Sequence, residues 1–148
     1  MSKSSTTTAA KVNRVLVLID ATPQGGKVVL RALQGWQTTI AEQTVELAAQ
    51  DFTFNDAKLT GDHAKVIAII KALKRLTSKL PDQGNAGYRL VIVHSSKAVQ
   101  TWLTDPTSRK ADLPKTLTGY VDKLAVRFPQ LQFEQRERKV ITKLMAAK

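Results

Sequence analysis

Aliphatic runs and polar turns alternate along the first third of the chain. Residues 15–19 form a continuous aliphatic run, and residues 27–33 form a second, largely aliphatic run after the connector ATPQGG. Val45, Leu47 and Ala49 then recur at a spacing of two in a third segment. Continuous aliphatic runs and a period of two are typical of strands, and short glycine turns join antiparallel neighbours. The pattern therefore predicts three strands in an antiparallel meander.

The period changes to that of a helix in the segment DHAKVIAIIKALKRLTSKL, residues 62–80. Its apolar residues recur three and four apart, at Val66, Ile69, Ile70, Leu73, Leu76 and Leu80. Its later basic residues, Lys71, Lys74, Arg75 and Lys79, fall on the other face. This spacing predicts an amphipathic helix with one buried stripe, and Asp62 near its start can accept unpaired backbone N–H groups.

The second half of the chain continues with one more strand–helix–helix–strand–helix series. YRLVIV predicts a fourth strand, and SSKAVQTWL predicts a short helix capped by Ser95 or Ser96, with Val99, Trp102 and Leu103 buried. A basic loop, TDPTSRKADLP, leads into a helix whose first turn contains Pro114. The predicted buried stripe of that helix is Leu117, Tyr120, Val121, Leu124 and Phe128. Leu131 and Phe133 alternate in a fifth strand, and residues 140–147 predict a terminal helix.

Length and composition favour a single globular domain. The chain has 148 residues, of which 43% are hydrophobic and 24% are charged. Residues 1–11 lack the apolar stretch of a secretion signal, so we expect a flexible tail followed by one domain over residues 12–148. The absence of cysteine excludes disulfides and thiol nucleophiles, and no apolar run is long enough for a membrane span. We therefore expect a soluble, cytoplasmic protein.

The net charge is the strongest global indication of a partner. Lys and Arg number 23 against 12 Asp and Glu, which gives a formal charge of +11. Such a surplus attracts polyanions, among which nucleic acid is the commonest in cells. A basic surface that maintains solubility, or that is attracted to anionic membrane, is the alternative interpretation.

Several local sequences, in their order along the chain, resemble those of the ribonuclease H family. LIDATPQGG resembles that family's first strand, which ends in Asp before a glycine-containing turn. LTGDHAKVIAIIKAL is similar to its threonine-led first helix, LVIVHSSKAVQTWL to its fourth strand and following helix, and LQFEQRERK to its fifth strand. The resemblance implies an α/β fold: a five-stranded mixed sheet, with the first three strands antiparallel, flanked by helices.

The resemblance also implies where a catalytic site would lie. Members of the family hold two divalent metal ions on four acidic residues, because hard cations take oxygen ligands. The resemblance places the first acid on Asp20, the second on Lys65, the third on Ser95 and the fourth near Thr142. Since only the first of these is acidic, we expect a remnant site without metal, in which Asp20 pairs with Lys65. The alternative is that Asp20 merely caps the turn.

The resemblance further implies a surface for nucleic acid. Thr60 matches a position near the phosphate backbone, and Ser96 and Lys97 open the helix that follows that backbone. Arg109, Lys110 and Lys115 lie in a segment that resembles a shortened basic protrusion. Each residue alone is equally interpretable as a helix cap or part of a solvated loop.

Three functions remain open from the sequence. The leading hypothesis is a catalytically silent domain that binds RNA/DNA hybrid or duplex through phosphates, without a cofactor. An active, Mg²⁺-dependent ribonuclease would need Asp62, Glu42, Glu46 or Glu134 as substitute ligands. A protein-interaction scaffold is the third, and the oligomeric state is left open.

Other candidate chemistry is weaker. ATPQGGKV lacks the Ser or Thr that a phosphate loop requires after Gly-Lys. His63 and His94 lie in different elements with no third ligand at metal-like spacing, so we expect a solvated His63 and a structural His94. Aromatic residues, at 5%, are too few for a base-stacking platform.

Overall fold

The computed structural model of the protein describes residues 14–34, 38–53, 58–79 and 89–146. The strands are β1 (Arg14–Thr22), β2 (Gly25–Gln34), β3 (Thr38–Ala48), β4 (Arg89–His94) and β5 (Leu131–Gln135). The helices are α1 (Gly61–Lys79), α2 (Lys97–Thr104), α3 (Asp112–Ala125) and α4 (Arg138–Ala146), with short 3₁₀ turns at Ala49–Asp51 and Pro106–Ser108. The predicted tail, residues 1–11, lies outside the described residues.

The five strands form one mixed sheet in the order β3-β2-β1-β4-β5. β1 pairs antiparallel with β2, and β2 pairs antiparallel with β3. β4 runs parallel to both β1 and β5. The predicted architecture, with its antiparallel first three strands and flanking helices, is therefore confirmed. Because β1 and β4 are parallel neighbours, their carboxyl ends meet at one edge of the sheet.

The turn between β1 and β2 depends on two glycines. Thr22 pairs with Gly25 across a two-residue loop, and Gly25 has a φ of 152°, a value that side chains disfavour. A Cβ on Gly26 would lie 2.4 Å from the backbone oxygen of Asp20. The close approach of the two strands at this point therefore requires glycine, and it fixes the end of β1.

The two faces of β1 belong to two separate packing layers. Val15, Val17 and Ile19 pack with α1 in the larger core cluster, whereas Leu16 and Leu18 pack in a second cluster built around α4. Successive strand residues point to opposite faces, so residue parity decides which helix a β1 side chain meets. Even-numbered positions of β1 face α4.

The predicted buried stripes of the helices are largely confirmed, with one correction in α3, and one residue predicted in a strand also lies elsewhere. Val66, Ile69, Ile70, Leu73 and Leu76 of α1 are buried, as are Val99 and Leu103 of α2, Trp102 being only partly buried. Tyr120 of α3 is 44% exposed, so its predicted burial is wrong, because it lies at the margin of the stripe centred on Leu117 and Val121. Ala49 lies in a 3₁₀ turn rather than in β3. Leu80 lies outside the described residues.

A buried arginine attaches the end of α4 to the sheet. Arg31 of β2 is 5% exposed, and its Nη1 and Nη2 donate to the carbonyl oxygens of Leu144 and Met145 at 2.6 and 2.8 Å. Its Nε donates to Glu42 Oε1 on β3 at 2.5 Å. The last carbonyls of a helix lack intrahelical donors and carry its negative end, so a guanidinium there is well placed.

No helix in the described part of the chain is long and apolar enough to cross a membrane.

Candidate functional site

The candidate site lies at the edge of the sheet where β1 and β4 end. Asp20 stands near the end of β1, and Ser95 directly follows β4. Lys65 reaches this edge from the first turns of α1, because its Nζ donates to the carbonyl oxygens of Ala21 at 3.1 Å and Gly61 at 3.4 Å. The resemblance-based placement of Asp20, Lys65 and Ser95 therefore does bring these residues to one edge.

The predicted pair between Asp20 and Lys65 is wrong. Asp20 Oδ1 instead accepts a hydrogen bond from Nε of Arg138, in the first turn of α4, at 3.1 Å. Strand parity explains the difference: Asp20 has the same parity as Leu16 and Leu18 and faces α4, whereas Lys65 approaches from the opposite face. The alternative interpretation, that Asp20 only caps the turn, does not account for its contact with Arg138.

The predicted fourth position, Thr142, lies in α4, the helix that also supplies the ion-pair partner of Asp20. Thr142 donates its Oγ1–H to the carbonyl oxygen of Arg138 at 3.0 Å, within α4. Thr142 and Asp20 both line a cavity of about 420 Å³, but the side chain that contacts Asp20 is Arg138. Because residues four apart lie on one face of a helix, the prediction of Thr142 also made position 138 a candidate for a contact with Asp20. Sequence reasoning missed this arginine.

A hydrogen-bonded chain next to the site joins α1, α2 and β4. Ser96 Oγ donates to Asp62 Oδ1 at 2.6 Å and accepts from the backbone N–H of Val99 at 3.0 Å. The backbone N–H of Ser96 donates to His94 Nδ1 at 3.2 Å. Ser96, not Ser95, is therefore the cap of α2, and the negative charge of Asp62 is engaged in holding that cap.

His94 is a structural residue, as predicted. It is fully buried, and its Nε2 lies 2.8 Å from Oε1 of Gln100, whose own Nε2 donates to the carbonyl oxygen of Phe133. Nδ1 acts as an acceptor, so the ring is held as the neutral Nε2–H tautomer. Burial lowers the pKa of His94, the Gln100 hydrogen bond acts in the opposite direction, and the Lys65 charge lowers it further.

The residues at this edge do not match a two-metal site. One carboxylate, Asp20, is already paired with a guanidinium, and the residues that the resemblance places second and third, Lys65 and Ser95, carry an ammonium and a hydroxyl. A like charge at contact distance opposes a divalent cation by several kcal/mol even in a well-screened site. Across the described ranges, no group of three or more His, Asp or Glu side chains has a metal-binding arrangement.

The substitute acids considered from the sequence are engaged elsewhere or lie apart. Glu42 borders the same cavity as Asp20 but is bound to Arg31, and Glu134 is bound to Arg136. Asp62 accepts from Ser96, and Glu46 lines a different cavity between the sheet and α1. The structure therefore does not gather these four acids around Asp20.

The six candidate nucleic-acid contacts divide into exposed and engaged residues. Lys97, Lys110 and Lys115 are exposed. Ser96 is 6% exposed and bonded to Asp62, and Arg109 binds Asp122 at 2.5 and 3.2 Å and the carbonyl oxygen of Trp102 at 2.6 Å. The structure therefore assigns Ser96 and Arg109 to internal contacts rather than to a free surface.

Thr60 and His63 form a compact N-terminal cap on α1. The backbone N–H of Thr60 donates to His63 Nδ1 at 3.1 Å, and the His63 N–H donates to Thr60 Oγ1 at 3.4 Å. The imidazole stacks on the ring of Trp102 with centroids 6.0 Å apart and an interplanar angle of 15°. His63 is thus half-buried rather than solvated as predicted, and desolvation lowers its pKa against the opposing charge of Asp62.

Comparison with solved structures supports the same architecture. RNase H1 from the halophilic archaeon Halobacterium salinarum has a TM-score of 0.61 and 15% identity, and the match covers 88% of this chain and 90% of that one. The chain has the ribonuclease H fold. The N-terminal RNase H domain of a Mycobacterium tuberculosis protein matches with a TM-score of 0.61 and 18% identity over 87% of this chain and 91% of that chain.

A third similar structure, LC11-RNase H1, was solved in complex with an RNA/DNA hybrid. It has a TM-score of 0.59 and 15% identity, and the match covers 88% of each chain. No protein-family model matches the sequence, and no curated protein matches it either. At these identities the likeness establishes the ribonuclease H fold, while substrate and activity have to be argued from the residues.

Proposed function

We propose that this protein is a ribonuclease H-like domain that binds nucleic acid through its phosphates, needs no metal to do so, and does not cleave it. The observation that carries the proposal is the contact of Asp20 with Arg138, beside Lys65 at the same sheet edge. Two cationic side chains at this edge favour phosphate over Mg²⁺.

The fold and the charge support a nucleic-acid partner. A protein with the same fold, LC11-RNase H1, binds an RNA/DNA hybrid. The formal charge of +11 supplies the field that attracts a polyanion from a distance. Exposed Lys97, at the start of α2, and exposed Lys110 and Lys115, around the start of α3, would contact phosphates directly.

Fluorescence anisotropy of labelled oligonucleotides tests the binding part of the proposal. We expect the full chain to bind an RNA/DNA hybrid or a DNA duplex in EDTA, and the affinity to fall at least about tenfold between roughly 50 and 200 mM salt, because phosphate contacts release counterions. Absence of binding to hybrid, duplex and single strand at low salt would refute it.

A pair of charge-matched variants localises the contact. The double variant Lys97→Glu with Lys110→Glu removes exposed cations near the site, whereas Lys71→Glu with Lys74→Glu makes the same change on the outer part of α1. We expect the first to weaken hybrid binding about tenfold and the second to weaken it less than about threefold. Equal losses would indicate attraction by net charge alone.

A further inference from the structure

A groove with an aliphatic floor lies between the sheet and the second half of α1. Its volume is about 470 Å³, and its floor is formed by Val28 and Leu30 of β2 and by Val45 and Leu47 of β3. Val45 and Leu47 are only partly buried. β3 stands at one edge of the sheet, so the groove lies beside the outermost strand. The groove is separate from the candidate site, because Lys71 is six residues after Lys65 in α1, a distance of roughly 9 Å along the helix axis.

A second cavity continues the groove across the outer surface of α1. It has a volume of about 290 Å³ and is bordered by Ile67 and Ile70 of α1 and by Leu117 and Tyr120 of α3. Tyr120 is one of the exposed large hydrophobic residues, at 44%. Lys71, Lys74 and Asp51 line both cavities, so the two apolar pockets meet at a charged junction. We call this continuous surface the α1 groove.

Among the described residues that line the first cavity of the α1 groove, the cations Lys71, Lys74 and Arg75 outnumber the acids Glu46 and Asp51. Lys71, Lys74 and Arg75 make no ion pair with any carboxylate in the part of the chain that the structure describes. Asp51 at the junction already accepts the backbone N–H of Ala48 at 2.7 Å. At the α3 end, Lys123 Nζ lies 5.8 Å from the centroid of the Tyr120 ring and adds another positive charge. A partner that meets this surface gains most by presenting carboxylates between apolar side chains.

We propose that the α1 groove binds a peptide segment of a partner protein in which acidic residues are flanked on both sides by aliphatic or aromatic ones. The apolar residues enter the two pockets, and the carboxylates meet Lys71 and Lys74 between them. Peptide recognition of this kind derives affinity from apolar anchors and specificity from a few charges. The inference is independent of the proposed nucleic-acid binding.

Nucleic acid fits this groove less well than a peptide does. A phosphodiester backbone gains nothing from a floor of four aliphatic side chains, because burying them against phosphates leaves those charges desolvated. Glu46 and Asp51 also line the groove and would repel a polyanion. A peptide can bury apolar side chains on this floor and place only a few carboxylates beside Lys71 and Lys74. It therefore avoids the desolvation penalty and meets less repulsion from Glu46 and Asp51 than a phosphate backbone would.

A fluorescein-labelled peptide of about twelve residues tests the proposal, with the sequence Leu-Val-Asp-Glu-Asp-Ile-Phe at its centre. Two control peptides replace its acids with Asn and Gln, or its apolar residues with Ser. We expect the full chain to bind the probe in the micromolar range and each control at least about tenfold more weakly, since both kinds of contact are needed. Absence of binding up to about 1 mM, or equal binding of the Ser peptide, would overturn the proposal.

Variants and chemical shifts locate the binding. Lys71→Glu with Lys74→Glu should weaken probe binding about tenfold, whereas Lys97→Glu with Lys110→Glu, which changes the charge equally, should weaken it less than about threefold. In the wild-type protein, backbone amide shifts should move around residues 71–78 and 117–120, a readout that does not depend on any variant folding. Shift changes confined to other residues, or displacement of the probe from the α1 groove by a DNA duplex, would contradict it.

Discussion

The two ends of α4 are each tied to the sheet by an arginine–carboxylate pair. The two arginines differ in burial and in their partners, although the carboxylates of Glu42 and Asp20 are each 25% exposed. At the carboxyl end, the side chain of Arg31 is 6% exposed and holds Glu42 together with two helix carbonyls. At the amino end, the side chain of Arg138 is 68% exposed, and its ion pair in the described part of the chain is with Asp20 at 3.1 Å. The side chain of Arg31 is therefore part of the packed interior, whereas the side chain of Arg138 is largely in solvent.

The two arginines also differ in their position relative to the dipole of α4. A cation at the carboxyl end of a helix is favoured by the helix dipole, and a cation at the amino end is disfavoured. Arg31 is therefore favoured by both packing and the helix dipole, whereas Arg138 is exposed, opposes the helix dipole and is paired with Asp20. We therefore expect Arg31 to contribute substantially to the stability of the fold and Arg138 to contribute little.

The largest expected effect comes from breaking the buried pair. Arg31→Met should lower the free energy of unfolding by about 2–3 kcal/mol, because it leaves Glu42 and the carbonyls of Leu144 and Met145 without their donor. Urea denaturation measures the change. The double variant Arg31→Met with Glu42→Leu should recover part of the loss, and a loss below about 1 kcal/mol in the single variant would place Arg31 among the ordinary surface arginines.

An intermediate effect on stability is expected from His94, which is buried near the amino end of α4. Its carbonyl oxygen accepts a hydrogen bond from the backbone N–H of Arg136 at 2.8 Å. Burial holds the pKa of His94 below the ordinary 6.5, so the unfolded chain binds the proton more tightly than the folded one. The contribution of His94 is therefore complete above pH 6.5 and is lost as the pH falls below that value.

Denaturant midpoints measured between pH 7.5 and 5 check this dependence. The wild-type protein should lose stability on acidification, and His94→Gln should show a shallower loss from a lower starting value. Some dependence should remain, because the lowered pKa of His63 acts in the same direction. An identical slope in the His94→Gln variant would exclude His94 as a source.

The smallest effect on stability should come from the exposed pair. Arg138→Ala should change the free energy of unfolding by less than about 1 kcal/mol, because exposed ion pairs are screened by water and salt. The same variant should weaken hybrid binding about threefold, since it removes a cation at the proposed phosphate contact. A stability loss as large as that of Arg31→Met would erase the difference between the two ends of α4.

Much of the fold was predictable, because the spacing of apolar residues along the chain indicates where helices and strands lie. The alternation around Val45 and the stripe of Val66, Ile69 and Ile70 each predict an element and its buried face, and the continuous aliphatic run over residues 15–19 predicts a strand covered on both faces. The order of those elements, together with the resemblance, predicted the mixed sheet. Strand parity places Asp20 on the same face as Leu16 and Leu18, but only the structure shows that α4 and not α1 covers that face.

The internal partners were not predictable, because they join residues distant in sequence. Ser96 and Arg109 fit a phosphate-binding surface until Asp62 and Asp122 are found beside them, 34 and 13 residues away. Arg31 lies 113 residues from the carbonyl of Leu144 that it caps. A single sequence shows which residues could bind phosphate. Only the tertiary structure shows which of them already bind other side chains of the protein.

Cleavage of an end-labelled RNA/DNA hybrid, in Mg²⁺ and in Mn²⁺, would decide whether this sheet edge is catalytically silent. We predict that the wild-type chain binds the hybrid equally well in EDTA and in Mg²⁺, and that it yields no more product than Asp20→Asn does. Metal-dependent cleavage by the wild-type chain that Asp20→Asn abolishes would contradict it.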